Sequence, residues 1–200
     1  MLELYLTAQG NVRVTLQADS SQNGRSRFQT ADIGYMSVFI TGIGHTPLGR
    51  RPELSVKQLT EQAVRTALAD SGKEQDEVQA AWFSNVRQGQ MEGQNSIRGQ
   101  CALHAMGFSG IPIFNIENAC ASSSSGLFNA YMAVESGMFD TVLVVGAEKM
   151  FYPEKKAEMM TAFFGGTDVH LLKTTWDALC AAETDPEIKR RLNSPGVIAS

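Results

Sequence analysis

With 200 residues, 43% hydrophobic and 19% charged, the chain can bury one substantial core and has the balance of a soluble globular protein. A net charge of −4 argues against a general attraction to nucleic acid or anionic membrane, and no apolar run approaches bilayer-spanning length. Three cysteines, Cys101, Cys120 and Cys180, have no paired spacing and no CxxC, which fits a reducing compartment, read here as the cytoplasm, better than a disulfide framework.

The opening "MLELYLTAQG" lacks the basic and apolar regions of a signal peptide. Within residues 1–35, "LELYLT" and "VRVTLQ" alternate apolar and polar positions and read as two short strands, followed by loop. Met36 then opens a clean apolar strand, so residues 1–35 are set apart as an extension without assigned chemistry. From there strands and helices alternate. "VFITGIG" is a strand and "HTPLGRRPEL" a Pro/Gly-rich turn. Ser55 caps a helix, with Gln58 completing a capping box, an apolar stripe of Val56, Leu59, Ala63 and Ala67, and Gly72 as the stop. "VQAAWFSNV" is a strand and "RQGQMEGQ" a loop. "NSIRGQCALHAMG" is a helix with Ile97, Cys101 and Ala105 on one face, and "IPIFNIE" is a strand. Residues 121–138 form a helix rich in apolar and small residues and expected to be buried. "TVLVVGA" is a strand without alternation, so both its faces are covered. This order predicts an α/β layered fold with a mainly parallel sheet. After Met150 the alternation gives way to a mostly helical cap, broken at "FFGGTD" and "NSPG".

Cys120 stands where the third strand after Met36 turns into the helix that follows. Ligands of open α/β sheets bind beyond the carboxyl ends of the strands. The free N–H groups and positive end of a helix favour a thiolate over a thiol, and can hold an oxyanion. Ala121 and the run Ser122 to Ser125 leave room for a substrate, and Gly126 permits close packing. On position alone a nucleophile and a buried structural cysteine are equal readings.

"NIENACASSSSGLFNAYMAVESGMFDTVLVVGAEKM" resembles the nucleophile segment of the thiolase superfamily, nearest to the sterol-carrier-protein (lipid-transfer-protein) type. The shared pattern is an Asn-rich strand end (Asn115, Asn118), Cys120-Ala121, a small-residue run, a long helix and the ending Gly146 to Met150. "VFITGIGHTPLGR" and "GQMEGQNSIRGQ" are similar to the family's first strand and second loop, so the likeness covers about residues 37–150.

The resemblance implies a thiolase-like layered fold: an N-terminal βαβαβαβ half over residues 36–150, and part of a helical cap over 151–200, ending before a C-terminal half. It implies that Cys120 forms an acyl thioester from an acyl-CoA in reversible Claisen cleavage or condensation. Coenzyme A is then a substrate, with no metal or redox cofactor. Asn118, Ser122 and Ser123 are the expected substrate-binding residues, bonding within the turn being the equal alternative for Asn118. It implies oligomers paired through the strand at 111–117, or a partner chain supplying the C-terminal half. That half holds the family's Gly-His-Pro histidine, which this sequence lacks; "GHTP" at 44–47 follows the wrong strand. A retro-aldolase or ketoacyl-synthase-like enzyme on the same scaffold, or a non-catalytic thiolase-like subunit, is the alternative.

Other signals are weaker. His45 is read as a loop residue, His104 as a core residue, and His170 has no assigned role. Cys101 and Cys180 are read as inert, and Arg50 and Arg51 as a solvated pair rather than a phosphate contact. Met159, Met160, Phe163 and Phe164 are read as cap packing rather than an acyl channel.

Overall fold

The computed structural model describes residues 3–9 and 37–192. The strands are β1 (Glu3–Gln9), β2 (Ser37–Gly44), β3 (Ala80–Ser84), β4 (Ile113–Ile116) and β5 (Thr141–Gly146). The helices are α1 (Val56–Ser71), α2 (Gln88–Glu92), α3 (Arg98–His104), α4 (Ser122–Glu135), α5 (Lys156–Phe164), α6 (Val169–Ala182) and α7 (Pro186–Leu192).

The strands form one sheet in the order β2-β1-β5-β3-β4. β3 pairs in parallel with both β4 and β5. β1 is antiparallel to β2 on one side and to β5 on the other, so the other four strands all run the same way. The sheet is thus mainly parallel, as expected. The one reversed strand comes from the segment before Met36 that is set apart as an extension, and it lies inside the sheet. The second strand expected there, "VRVTLQ", lies outside the described residues.

Residues alternate across β3 and β5, and helices cover both faces. Ala81, Phe83, Leu143 and Val145 join Val56, Val64, Ala67, Ala102 and Leu103 in one core, beneath α1 and α3. Ala80, Trp82, Val142 and Val144 join Ala130 and Val134 of α4 in the other. All five β3 residues and the first five of β5 are buried, which is why "TVLVVGA" shows no alternation.

α1 forms where its sequence signals place it. The Ser55 Oγ accepts from the Gln58 backbone N–H at 3.3 Å, and the Gln58 Oε1 accepts from the Ser55 N–H at 2.9 Å. Gly72 closes the helix at φ 64°. The predicted stripe is buried, with Thr60 and Val64 added. Gly44 lets α1 lie directly on β2. A Cβ there would run into the Ala63 carbonyl oxygen and the Ala67 backbone nitrogen, neither of which can swing away. Gly44→Ala is expected to cost about 1–3 kcal/mol in urea unfolding, as overpacking does, and an unchanged midpoint would contradict this contact.

Three local expectations are corrected. "RQGQMEGQ", read as loop, contains the short helix α2. α3 buries Gly99, Ala102 and Leu103 rather than the Ile97–Cys101–Ala105 face; Ile97 is 58% exposed, and His104 is exposed rather than in the core. Gly99 sets that orientation, because only a residue without a side chain fits against Phe83 and Ile113. α4 buries one face only, Ser122, Gly126, Ala130 and Val134, and leaves Phe128, Tyr131 and Met132 exposed; the helix expected to run to residue 138 ends at Glu135, and Met138 beyond it is exposed.

The described residues after Met150 are mostly helical as expected, with the α5–α6 break at Gly165–Asp168; the break expected at "NSPG" lies outside the described residues. α5 packs on α2 through Met91, Tyr152, Met159 and Ala162. The side chains of Met160, Phe163 and Phe164 lie outside the described residues. Among the described residues, no helix is long and apolar enough to cross a membrane.

Candidate active site

Ser84, Ile116 and Gly146, the last residues of β3, β4 and β5, lie in register side by side. Just beyond them is a cavity of about 460 Å³. Its walls are three chain segments: Ser84 to Arg87 after β3, Ala119 to Ser124 with Leu127 after β4, and Gly146 to Met150 after β5, backed by Val144. This is the carboxyl end of a parallel sheet, where α/β folds hold their ligands.

Cys120 lines this cavity and is exposed. It is presented by a tightly braced turn. Ala119, just before it, has φ 46°, a left-handed conformation that costs a residue with a Cβ about 1–2 kcal/mol. Several bonds hold it there. The Glu117 Oε1 accepts from the Ala119 N–H at 2.7 Å. The Ser122 Oγ accepts from the Asn118 N–H at 2.8 Å and donates to the Ala119 carbonyl at 2.7 Å. The Asn118 Nδ2 donates to the Ser125 Oγ at 2.9 Å. Strain held by its surroundings in this way is a recurrent property of functional sites.

α4 begins immediately after this turn. Its N-cap is Ala121, which makes no side-chain cap bond; the Ser122 N–H is taken by the Ala119 carbonyl at 3.2 Å, and among the described residues no side chain caps the N–H groups of Ser123 and Ser124. Ser123 and Ser124 are exposed and line the cavity, whereas the Ser122 hydroxyl, 5% exposed as a residue, is committed to the turn. Asn118 does not line the cavity; its side chain braces the turn, the structural option of the two sequence readings. Gly126 brings α4 close to β3, since a Cβ there would lie 3.0 Å from the Ser84 Oγ.

The ionisable groups lining the cavity are Cys120, Arg87 and Glu148. None of the histidines does: His45, His104 and His170 are each exposed elsewhere. Glu148, Asn85 and Arg87 were not assigned roles from sequence. The ending "GAEKM" flagged the region of Glu148, but only the fold brings it beside Asn85, 63 positions away. Burial pushes the Glu148 carboxyl above the usual carboxylate range. N–H donation from Val86 and Arg87, and the guanidinium charges of Arg87 and Arg98, oppose that shift.

A carboxyl that ionises less readily folded than unfolded contributes stability that is complete below its unfolded value. That contribution is lost as pH rises through the raised folded value. Glu148→Gln removes this titration. The stability of the variant relative to the parent is therefore expected to rise as pH climbs through and above the ordinary carboxylate range in urea melts. A difference that stays flat over that range would contradict it.

A second, smaller cavity of about 120 Å³ shares Glu148 and Met150 with the first and is also lined by Arg51 and Lys149. Arg50 sits 5.0 Å over the Phe151 ring, and the Lys149 Nζ donates to the Pro52 carbonyl at 2.9 Å. These cations are partly engaged with the protein rather than simply solvated. Cys101 is half-buried in α3 and Cys180 buried in α6, away from the cavity.

Residues 38–185 match the family model described as thiolase, N-terminal domain. The chain is 40% identical over 116 residues to "Non-specific lipid-transfer protein-like 2" of Caenorhabditis elegans, covering 56% of this chain and 27% of that protein. It is 37% identical over 122 residues to "Sterol carrier protein 2" of Gallus gallus, covering 60% and 21%. It is 37% identical over 113 residues to "Acetyl-CoA acetyltransferase" of Methanocaldococcus jannaschii, covering 56% and 29%. The chain therefore spans less than a third of the length of these relatives. With a match over nearly three quarters of its residues, the chain belongs to the thiolase family, through that family's N-terminal domain.

Proposed function

We propose that this chain carries the acyl-accepting site of a thiolase-type acyltransferase, with Cys120 as nucleophile and an acyl-CoA as substrate. The observation that carries the reading is the setting of Cys120: exposed in the cavity beyond the parallel strands, at the start of a helix whose N-cap residue makes no side-chain cap bond. The relative named acetyl-CoA acetyltransferase supports the substrate class.

In the proposed step the Cys120 sulfur attacks the thioester carbonyl of the acyl-CoA. The carbon–sulfur bond to coenzyme A breaks, and coenzyme A leaves as a thiolate that takes up the proton Cys120 gave up. The Ser123 and Ser124 N–H groups at the start of α4 are the donors for the transient oxyanion. The exchange is redox-neutral, so coenzyme A enters as a substrate and the step calls for no metal or redox cofactor. Ser123 and Ser124 offer hydroxyls to the bound substrate.

Claisen cleavage or condensation further needs a base for the α-carbon. No histidine among the described residues lines the cavity. On this reading the described lining of the cavity accounts for the acylation step, and the base for the α-carbon is not among the histidines described. The same observation favours a second reading, a non-catalytic thiolase-like subunit. We place the protein in the cytoplasm on its three free cysteines.

Incubating the full chain with acetyl-CoA and longer acyl-CoAs is expected to add one acyl mass to the intact protein. No adduct with any of them, alone or with a partner that supplies a histidine, sinks the catalytic reading in favour of the second.

The proposal extends to assembly. β4 is an edge strand with Phe114 42% exposed, and α4, which touches β4, leaves Phe128, Tyr131 and Met132 exposed. Self-pairing of the 111–117 strand would remove that edge. Phe114→Lys is expected to turn a dimer into a monomer in sedimentation analysis; a parent chain already monomeric at high concentration would refute the pairing.

A further inference from the structure

We infer that Glu148 is a positioning residue: its carboxylate ties the end of β5 to the turn that follows β3, and so holds two of the three walls of the Cys120 cavity in place for substrate. The bonds are specific. The Val86 N–H donates to one Glu148 oxygen at 2.9 Å. The Arg87 N–H is shared by both oxygens, at 3.1 and 3.2 Å. The Asn85 Nδ2 donates to Glu148 at 3.3 Å and to the Ala147 carbonyl at 2.6 Å. All of these bonds run between the turn after β3 and the segment after β5.

Asn85, 3% exposed, is the hub of the turn. Its Oδ1 accepts from the Gln88 N–H and from the Arg98 Nη1, each at 3.1 Å, and the Arg98 Nη1 also donates to the Val86 carbonyl at 3.2 Å. Arg98 thus clamps the turn from the α3 side while Glu148 clamps it from the β5 side. Ser84 to Arg87 and Gly146 to Met150 are the walls so joined, and Cys120 stands on the third. Glu148 also lines the smaller neighbouring cavity, so it sits in the partition between the two spaces.

A carboxylate satisfies N–H groups from successive residues in a way a single carbonyl cannot. Burial disfavours its charged form, so its ionised state is a cost to the fold rather than a gain. The position it maintains accounts for its presence better than stability does. The inference rests on the reading that this cavity receives an acyl-CoA, and the test separates the two.

Glu148→Ala removes both acceptors and Glu148→Gln keeps one. In the full-length chain, amide hydrogen exchange at Val86 and Arg87 is expected to accelerate at least about tenfold in the alanine variant, while amides of α4 keep their protection. Iodoacetamide alkylation of Cys120 is expected to stay within about twofold of the parent in both variants. The acetyl-CoA concentration that half-protects Cys120 from alkylation is expected to rise about tenfold in the alanine variant and less in the glutamine variant.

Unchanged exchange at Val86 and Arg87 overturns the inference. So does an alanine variant in which alkylation slows as much as protection weakens, because the whole site has then loosened. If acetyl-CoA fails to protect the parent chain, the functional reading fails, and the exchange result still decides whether Glu148 holds the wall.

Discussion

Replacing Cys120 with serine is expected to abolish the proposed acyl adduct, lowering the acylation rate by about a thousandfold or more. Serine is nearly isosteric, so the turn of Glu117, Asn118 and Ser122 and the start of α4 are preserved. What is lost is the proposed nucleophile. A hydroxyl needs an adjacent base to attack a thioester, and no histidine among the described residues lines the cavity. Only a thiol, ionisable on its own, can react there without help. Cys101→Ser and Cys180→Ser are expected to leave the adduct within about twofold of the parent, since both lie outside the cavity. Intact mass after incubation with acetyl-CoA reads all three variants. An adduct that survives Cys120→Ser would move the nucleophile elsewhere.

Deleting residues 1–9 is expected to abolish cooperative folding. β1 pairs over seven residues with β2 and over five with β5. At about 1 kcal/mol net for each ladder bond, the loss approaches the about 5–15 kcal/mol that holds a whole domain together. Deletion would also leave β2 and β5, two parallel strands, facing an empty strand position, with their backbone groups unpaired. Leu6→Pro is the gentler test. It removes one N–H from the middle of a strand bonded on both sides and is expected to cost about 3 kcal/mol or more. Circular dichroism during urea unfolding measures both. A cooperative transition at the parent midpoint in the deletion variant would show that the sheet does not depend on β1.

That strand marks where sequence reading stops. "LELYLT" signals a strand by its alternation, but a local pattern says nothing of its neighbours. Its place between β2 and β5 follows from pairing across more than a hundred residues. Features carried by adjacent residues were legible: the Ser55–Gln58 capping box, the Gly72 stop, and the two-sided burial of β5 from its unbroken apolar run. So was the setting of Cys120, because a strand end, a small-residue run and a helix follow one another in sequence.

Which face of a helix meets the sheet was less legible. Gly126 and Ala130, not Phe128 and Met132, face β3 and β5, because small residues allow the close approach. Apolar content alone therefore overstated the burial of α4. Gly99 misled in the same way on α3. The Glu148–Asn85 bond was beyond reach from sequence, since each residue is an ordinary polar side chain until the strand ends bring them together.

The most direct measurement is the covalent state of Cys120 after the full chain meets an acyl-CoA. Digestion at mildly acidic pH, which preserves thioesters, followed by tandem mass spectrometry, is expected to place one acyl group on Cys120, removable by hydroxylamine and absent from Cys101 and Cys180. An unmodified Cys120 under conditions where the intact chain gains no acyl mass, even with a histidine-bearing partner present, would contradict the account.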